Sequence, residues 1–148
     1  SQILDSIPEG VGLSEAELTS AEDAKSFVKA TGIDALAPSV GNVHGMLRNV
    51  PDPDLNIARI KEISQAVSVP LVLHGASGNS DADIKAAIEA GISVVHVNTE
   101  LRRAWKDSLE KHLSEHPDDV APYKVLKESA EAIREVVKEK LKIFNGLK

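Results

Sequence analysis

Three of the chain's five histidines lie at or near the ends of short apolar runs, where an imidazole can ligate a metal or take part in proton transfer. His74 closes Val69-Pro-Leu-Val-Leu-His-Gly-Ala-Ser-Gly78, His44 closes Gly41-Asn-Val-His-Gly45, and His96 lies inside Ile92-Ser-Val-Val-His-Val97. Two of them share a His-Gly context and stand 30 residues apart, the length of one βα step in a barrel or open sheet. If the runs are adjacent parallel strands, the three imidazoles meet at one rim, and two or three converging imidazoles suit zinc. The alternative is that each histidine caps its strand through a hydrogen bond to a loop. Gly45, Gly75, Ser77, Gly78, Asn98 and Thr99 fall at the same rim and could cradle a phosphate through backbone N–H groups and hydroxyls, or serve as ordinary turn residues. Arg48 adds a cation there or is simply solvated. His112 and His116 sit on or just past a polar helix and read as surface residues.

The elements that position this rim follow from apolar spacing. Leu71, Val72 and Leu73 form a run too short for a buried helix, and Pro70 and Gly75 mark it as a strand covered on both faces. Asn79-Ser80-Asp81 offers N-caps to a short helix carrying Ile84, Ala87 and Ile88, which Gly91 closes. Upstream, Thr19 with Glu22 forms a candidate capping box for a helix with Ala24, Phe27 and Val28 on its apolar face, ending at Thr31-Gly32. Ile33 to Val40 reads as a strand and Met46 to Asp54 as a loop. Ile57, Ile60, Ile63 and Val67 have helical spacing. Ile92 to Val97 is a third strand. A helix to about His116 presents Leu101, Trp105, Leu109 and Leu113, and Pro117-Asp-Asp119 breaks it. A long amphipathic helix then carries Leu126, Ala130, Ile133, Val137, Leu141 and Phe144. Asp81, Asp83 and Glu100 complement helix N-termini. The expectation is one partial domain over 1–148: a loop-like lead-in over 1–18, βα units over 19–116 and a closing helix over 117–148.

Composition narrows the function classes. The formal charge of −6 and the lack of a basic stripe argue against nucleic-acid binding. Cysteine is absent, which removes disulfides and thiolate metal sites. No apolar run approaches the roughly 20 residues that span a bilayer, and nothing at the N-terminus has the form of a signal peptide, so a cytoplasmic, membrane-free protein is expected.

Asp34-Ala-Leu-Ala-Pro-Ser-Val-Gly-Asn-Val-His-Gly45, Pro70-Leu-Val-Leu-His-Gly-Ala-Ser-Gly78 and Val97-Asn-Thr-Glu-Leu101 together resemble class II, zinc-dependent fructose-bisphosphate and tagatose-bisphosphate aldolases. The resemblance runs in order from about Leu18 to Phe144. It implies the C-terminal portion of a (β/α)8 TIM barrel, with three parallel strands, their helices and a long C-terminal helix. His44 and His74 match two of the family's three zinc-ligand histidines. Gly45, Gly75, Ser77 and Thr99 match positions that hold the substrate phosphate, and Arg48, Ala76, His96 and Asn98 join them as candidate substrate contacts. Val43, Gly45, Gly75 and Ser77 match positions whose backbone oxygens hold a monovalent cation, sodium or potassium.

The chain also departs from the family pattern. The family's remaining zinc histidine, with its adjacent catalytic aspartate, belongs to an earlier strand, and no such Asp-His pair occurs here. The general acid and base are therefore expected in a preceding N-terminal part, and Ser14-Glu-Ala-Glu-Leu18 is assigned no catalytic role. His96 stands where the family usually has a substrate-binding asparagine, Val94 where lysine is common, and Arg48 in place of a frequent lysine. The resemblance implies a parent enzyme about twice this length that cleaves a phosphorylated sugar and works as a homo-oligomer, dimer or tetramer. The 148 residues alone are expected to be inactive. The alternative is a non-catalytic metal- or phosphate-binding half-barrel that assembles with other chains and holds zinc through His44, His74 and His96. A purely structural α/β module is the third reading.

Overall fold

The computed structural model describes residues 3–4, 17–43, 46–47 and 52–146. Within them the chain is a mixed α/β, mostly helical structure with parallel strand pairing. It divides into two compact units, residues 1–97 and 98–148. Among the described residues no helix is long and apolar enough to cross a membrane.

The first unit contains β1 (Ile3–Leu4), α1 (Ala21–Thr31), β2 (Met46–Leu47), α2 (Ile57–Ala66), β3 (Leu71–Leu73), α3 (Asp81–Ala90) and β4 (Ile92–Val95). β1 pairs in parallel with β2, so the expected lead-in loop and the expected 46–54 loop each contribute a two-residue strand. Residues 1–2 and 5–16 of the lead-in and residues 48–51 lie outside the described residues. Ile60 and Ile63 of α2, Leu71 and Leu73 of β3, Ile84 and Ala87 of α3 and Ile92 of β4 are buried together in the core. Each large aliphatic side chain withdrawn from water in this way contributes about 1.5–3 kcal/mol. Phe27, expected on the inner face of α1, is instead about half exposed, and Ala24 is that helix's buried residue.

α1 starts one residue later than its sequence signature suggested. Ser20 is the N-cap, its Oγ accepting the Asp23 N–H at 3.0 Å. Thr19 is occupied elsewhere: its N–H donates to the Ser39 carbonyl and its Oγ1 accepts the Ser39 N–H, both at 2.9 Å. Ser80 caps α3 in the same manner, accepting the Asp83 N–H.

β3 and β4 pair in parallel with one irregularity. Leu71 faces Ile92, but Val72 faces Val94 and Leu73 faces Val95, so Ser93 is an extra residue on β4. On the other edge of β3, the strand expected over Ile33–Val40 is reduced to a single bridge at Leu36. The Leu36 N–H donates to the Pro70 carbonyl at 3.0 Å, and the Val72 N–H donates to the Leu36 carbonyl at 2.8 Å. A parallel ladder continues two residues on, where residue 38 would donate to the Val72 carbonyl. Residue 38 is proline and has no N–H, so the ladder stops there.

The second unit contains α4 (Thr99–Glu115), α5 (Pro122–Val125) and α6 (Lys127–Phe144). α4 packs on α6, and the Lys140 ammonium meets the Glu100 carboxylate at 2.8 Å with both side chains largely shielded. His112, read from sequence as a surface residue, is buried. Its Nε2 lies 3.4 Å from Asp119 and its Nδ1 3.5 Å from Glu128, and its ring packs on His116 with centroids 4.9 Å apart. Two carboxylates approach that imidazole at the α4 terminus where a helix pattern alone predicts solvent. The hydrogen bond from Lys124 holds the Asp119 carboxyl below its ordinary pKa. Leu113, Val137 and Leu141, expected to be covered, are substantially exposed.

The position of the α1 cap is testable. Ser20→Ala is expected to lower unfolding stability by about 1 kcal/mol. Glu22→Ala, the partner in the displaced signature, should change it by no more than about 0.5 kcal/mol. Equal losses for both in denaturant titrations would place the cap at Thr19 instead.

Candidate active site at the strand ends

The site begins where β3 ends. Leu71 and Leu73 anchor the strand in the core, and the next residue, half-buried His74, leaves it at the sheet's carboxyl end. Gly75 follows at φ 68°, ψ 20°, a left-handed conformation that a side chain would strain, and turns the chain into a single 3-10 turn over Ala76–Gly78. Ala76 and Ser77 are buried in that turn. Asn79 is buried too, its Nδ2 donating to the Pro53 carbonyl at 3.1 Å, and the chain then enters α3.

β4 brings the second imidazole. The His96 N–H donates to the Leu73 carbonyl at 2.9 Å, which sets His96 beside His74. Their rings meet edge to face, with centroids 4.5 Å apart and planes at 87°. The extra residue at Ser93 sets the register of this pairing. Bulges of this kind re-aim side chains next to active sites.

The third approach comes from Val40–Val43. Val40, Gly41 and Val43 are buried, and the Val40 carbonyl accepts the Asn56 N–H at 2.8 Å. Gly41 has φ 98°, and a Cβ there would lie 2.9 Å from the Asp54 carbonyl oxygen, so only glycine fits this close approach. Asn42 spans the gap to β3: its Oδ1 accepts the Val40 N–H and its Nδ2 donates to the His74 carbonyl, both at 3.0 Å.

Thus His74, Gly75, Ala76, Ser77 and His96 are gathered at one strand end, with buried Val43 on the segment that Asn42 ties to it. His44, Gly45 and Arg48 lie outside the described residues. Asn98 and Thr99 belong to the second unit, where Asn98 is exposed at the N-terminus of α4 and Thr99 is buried. Among the described residues no three His, Cys, Asp or Glu side chains are grouped to hold a metal ion. Two imidazoles sharing a tetrahedral zinc have centroids about 5 Å apart, so the 4.5 Å pair is close to that spacing.

Sequence reasoning did not single out Asn42 or Asp52. For Asn42 the signal was present, an amide side chain inside a Gly-Asn-Val-His-Gly turn. Asp52 is buried with its carboxylate against the Cα of Gly78, so a Cβ on Gly78 would collide with both carboxylate oxygens. No local pattern pairs those two positions.

The chain belongs to the class II fructose-bisphosphate aldolase family: the family profile matches residues 3–147. Among solved structures, it is similar to the YdjI aldolase of Escherichia coli K12, at 41% identity and a TM-score of 0.74 over 87% of this chain and 46% of that one. The fructose-bisphosphate aldolase (Fba) of Campylobacter jejuni, at 20% identity, shares the fold with a TM-score of 0.71 over 93% of this chain and 49% of that one. The chain therefore spans about half the length of these relatives.

The contact beneath the turn gives a direct check. Gly78→Ala is expected to destabilise the protein by about 1–3 kcal/mol through overpacking against Asp52. Combined with Asp52→Ala it should cost less than the two single changes added, with a coupling of at least about 0.5 kcal/mol. Strict additivity in a double-mutant cycle would mean the two residues do not touch.

Proposed function

We propose that the whole protein is a zinc-dependent ketose-bisphosphate aldolase, and that this chain supplies the C-terminal portion of its (β/α)8 barrel and half of its active site. The observation that carries the reading is the convergence of His74 and His96 at the ends of β3 and β4, directly before the Gly75–Gly78 turn. The class II family match supports it.

In this reading His44 and His74 are zinc ligands. When bound, zinc supplies Lewis-acid polarisation of the substrate ketone. Gly75, Ala76 and Ser77 would hold the substrate phosphate, and Gly45, Arg48, Asn98 and Thr99 are assigned to substrate by the family resemblance alone. The left-handed Gly75 and the buried Ser77 suit that role, since small residues let an anion approach the backbone closely. The backbone oxygens of Val43, Gly45, Gly75 and Ser77 accept a sodium or potassium ion. Cleavage of the C3–C4 bond gives dihydroxyacetone phosphate and an aldehyde. The C4 hydroxyl proton passes to a base in the other half of the barrel, because this sequence lacks the family's Asp-His pair; the C3–C4 electron pair moves toward the ketone carbonyl, and C3 then takes up a proton to complete dihydroxyacetone phosphate.

His96 is a substrate contact in this scheme. Zinc retention in a His96 variant distinguishes this role from a half-barrel binding zinc through three histidines. The whole enzyme is cytoplasmic and a homo-oligomer in this reading, as the family resemblance implies.

The test is release of dihydroxyacetone phosphate by the full-length protein from fructose and tagatose bisphosphates. Activity is expected with zinc, lost on chelation and restored by zinc. His74→Ala should lower it at least about a hundredfold. His96→Ala should raise KM and leave zinc stoichiometry unchanged. Turnover indifferent to chelation would overturn the proposal, and zinc lost in His96→Ala would favour the three-histidine half-barrel.

A further inference from the structure

We propose that Asn42 is a positioning residue that links the main chain at Val40, just ahead of the first His-Gly pair in the sequence, to the end of β3 at His74. The inference rests on the reading of His44 and His74 as zinc ligands.

The parallel register fixed by Leu36 and Leu71 predicts three bonds donated to this edge of β3 by the Leu36 segment. They are Leu36 N–H to the Pro70 carbonyl, residue 38 N–H to the Val72 carbonyl, and Val40 N–H to the His74 carbonyl. The first is made at 3.0 Å. The second cannot form, because residue 38 is proline. At the third, the predicted donor and acceptor are joined through the Asn42 side chain: Val40 N–H to Oδ1 at 3.0 Å, then Nδ2 to the His74 carbonyl at 3.0 Å. The side-chain amide is spliced into the ladder as though it were an extra peptide group.

Two consequences follow. The Val40 N–H and the His74 carbonyl are joined through one side-chain amide, where a regular ladder would join them directly. Both backbone groups are nevertheless satisfied, so the arrangement carries no penalty for a stranded N–H or carbonyl. Asn42 lies two residues before His44, and its other contact is the backbone of His74 itself. One rigid amide therefore connects the main chain leading to one proposed ligand with the main chain of the other. Aspartate cannot replace it, since a carboxylate oxygen would face the His74 carbonyl oxygen. Serine can accept the Val40 N–H but is too short to reach His74 as well.

The experiment uses the full-length protein and measures zinc affinity by chelator competition, with the visible spectrum of the cobalt-substituted form reporting ligand geometry. Asn42→Asp and Asn42→Ser are expected to keep wild-type circular dichroism, bind zinc about 10–100-fold more weakly, and change the cobalt bands. Asn42→Ser retains the local turn and serves if the aspartate variant does not fold. Zinc affinity and cobalt bands equal to wild type in either folded variant would overturn the proposal. Failure of the wild-type protein itself to take up zinc or cobalt would instead sink the zinc-aldolase reading on which it stands.

Discussion

A parallel sheet is held by a ladder in which alternate residues of each strand supply an N–H, and the arrangement around β3 turns on where that supply fails. β3 is three residues long, with both end side chains buried, and it needs neighbours on each edge. β4 provides one regular stretch and one extra residue. The Leu36 segment provides two bonds before Pro38 interrupts it. Everything at the strand end, including the paired imidazoles, the glycine turn and the Asn42 bridge, is built on that short and doubly interrupted strand.

Its stability therefore comes from the layer behind it. Ile60, Ile63, Ile84 and Ala87 bury against the strands from α2 and α3, and the cap at Ser80 fixes where α3 begins. With the helices fixed, the connection from His74 to Ser80 has little freedom. Gly75 makes the turn, Asn79 reaches the Pro53 carbonyl, and Asp52 fills the space beside Gly78. The turn is positioned by buried polar contacts on one side and an apolar core on the other.

Much of this could be read in the sequence, for reasons tied to period and punctuation. Leu71–Leu73, its exit through His74-Gly75, the helices of the first unit and the stop at Gly91 all rest on local signals that agree with one another. The errors share a different cause. Ile33–Val40 has the composition of a strand, but pairing depends on whether residue 38 meets a carbonyl that needs a donor. Thr19 has the right chemistry for a cap, but Ser39 occupies it. His112 lies on a polar helix, and only the distant Asp119 and Glu128 make its burial tolerable. Asn42 sat in a quoted motif without a role, because a side chain completing a backbone ladder has no one-dimensional pattern.

The two irregularities beside β3 are of one kind. On one edge Ser93 is an extra main-chain residue, and on the other the Asn42 amide is an extra hydrogen-bonding unit. A regular ladder would hold neighbouring strand ends about 4.8 Å apart and leave little room between them for a bound group. On the β4 edge the ladder closes again after the extra residue, the His96 N–H meeting the Leu73 carbonyl at 2.9 Å, while on the other edge the Asn42 amide stands between the Val40 N–H and the His74 carbonyl. A bulge alone would have served one edge. On the other, proline first stops the ladder and the asparagine side chain then resumes it, so Pro38 and Asn42 work as a pair.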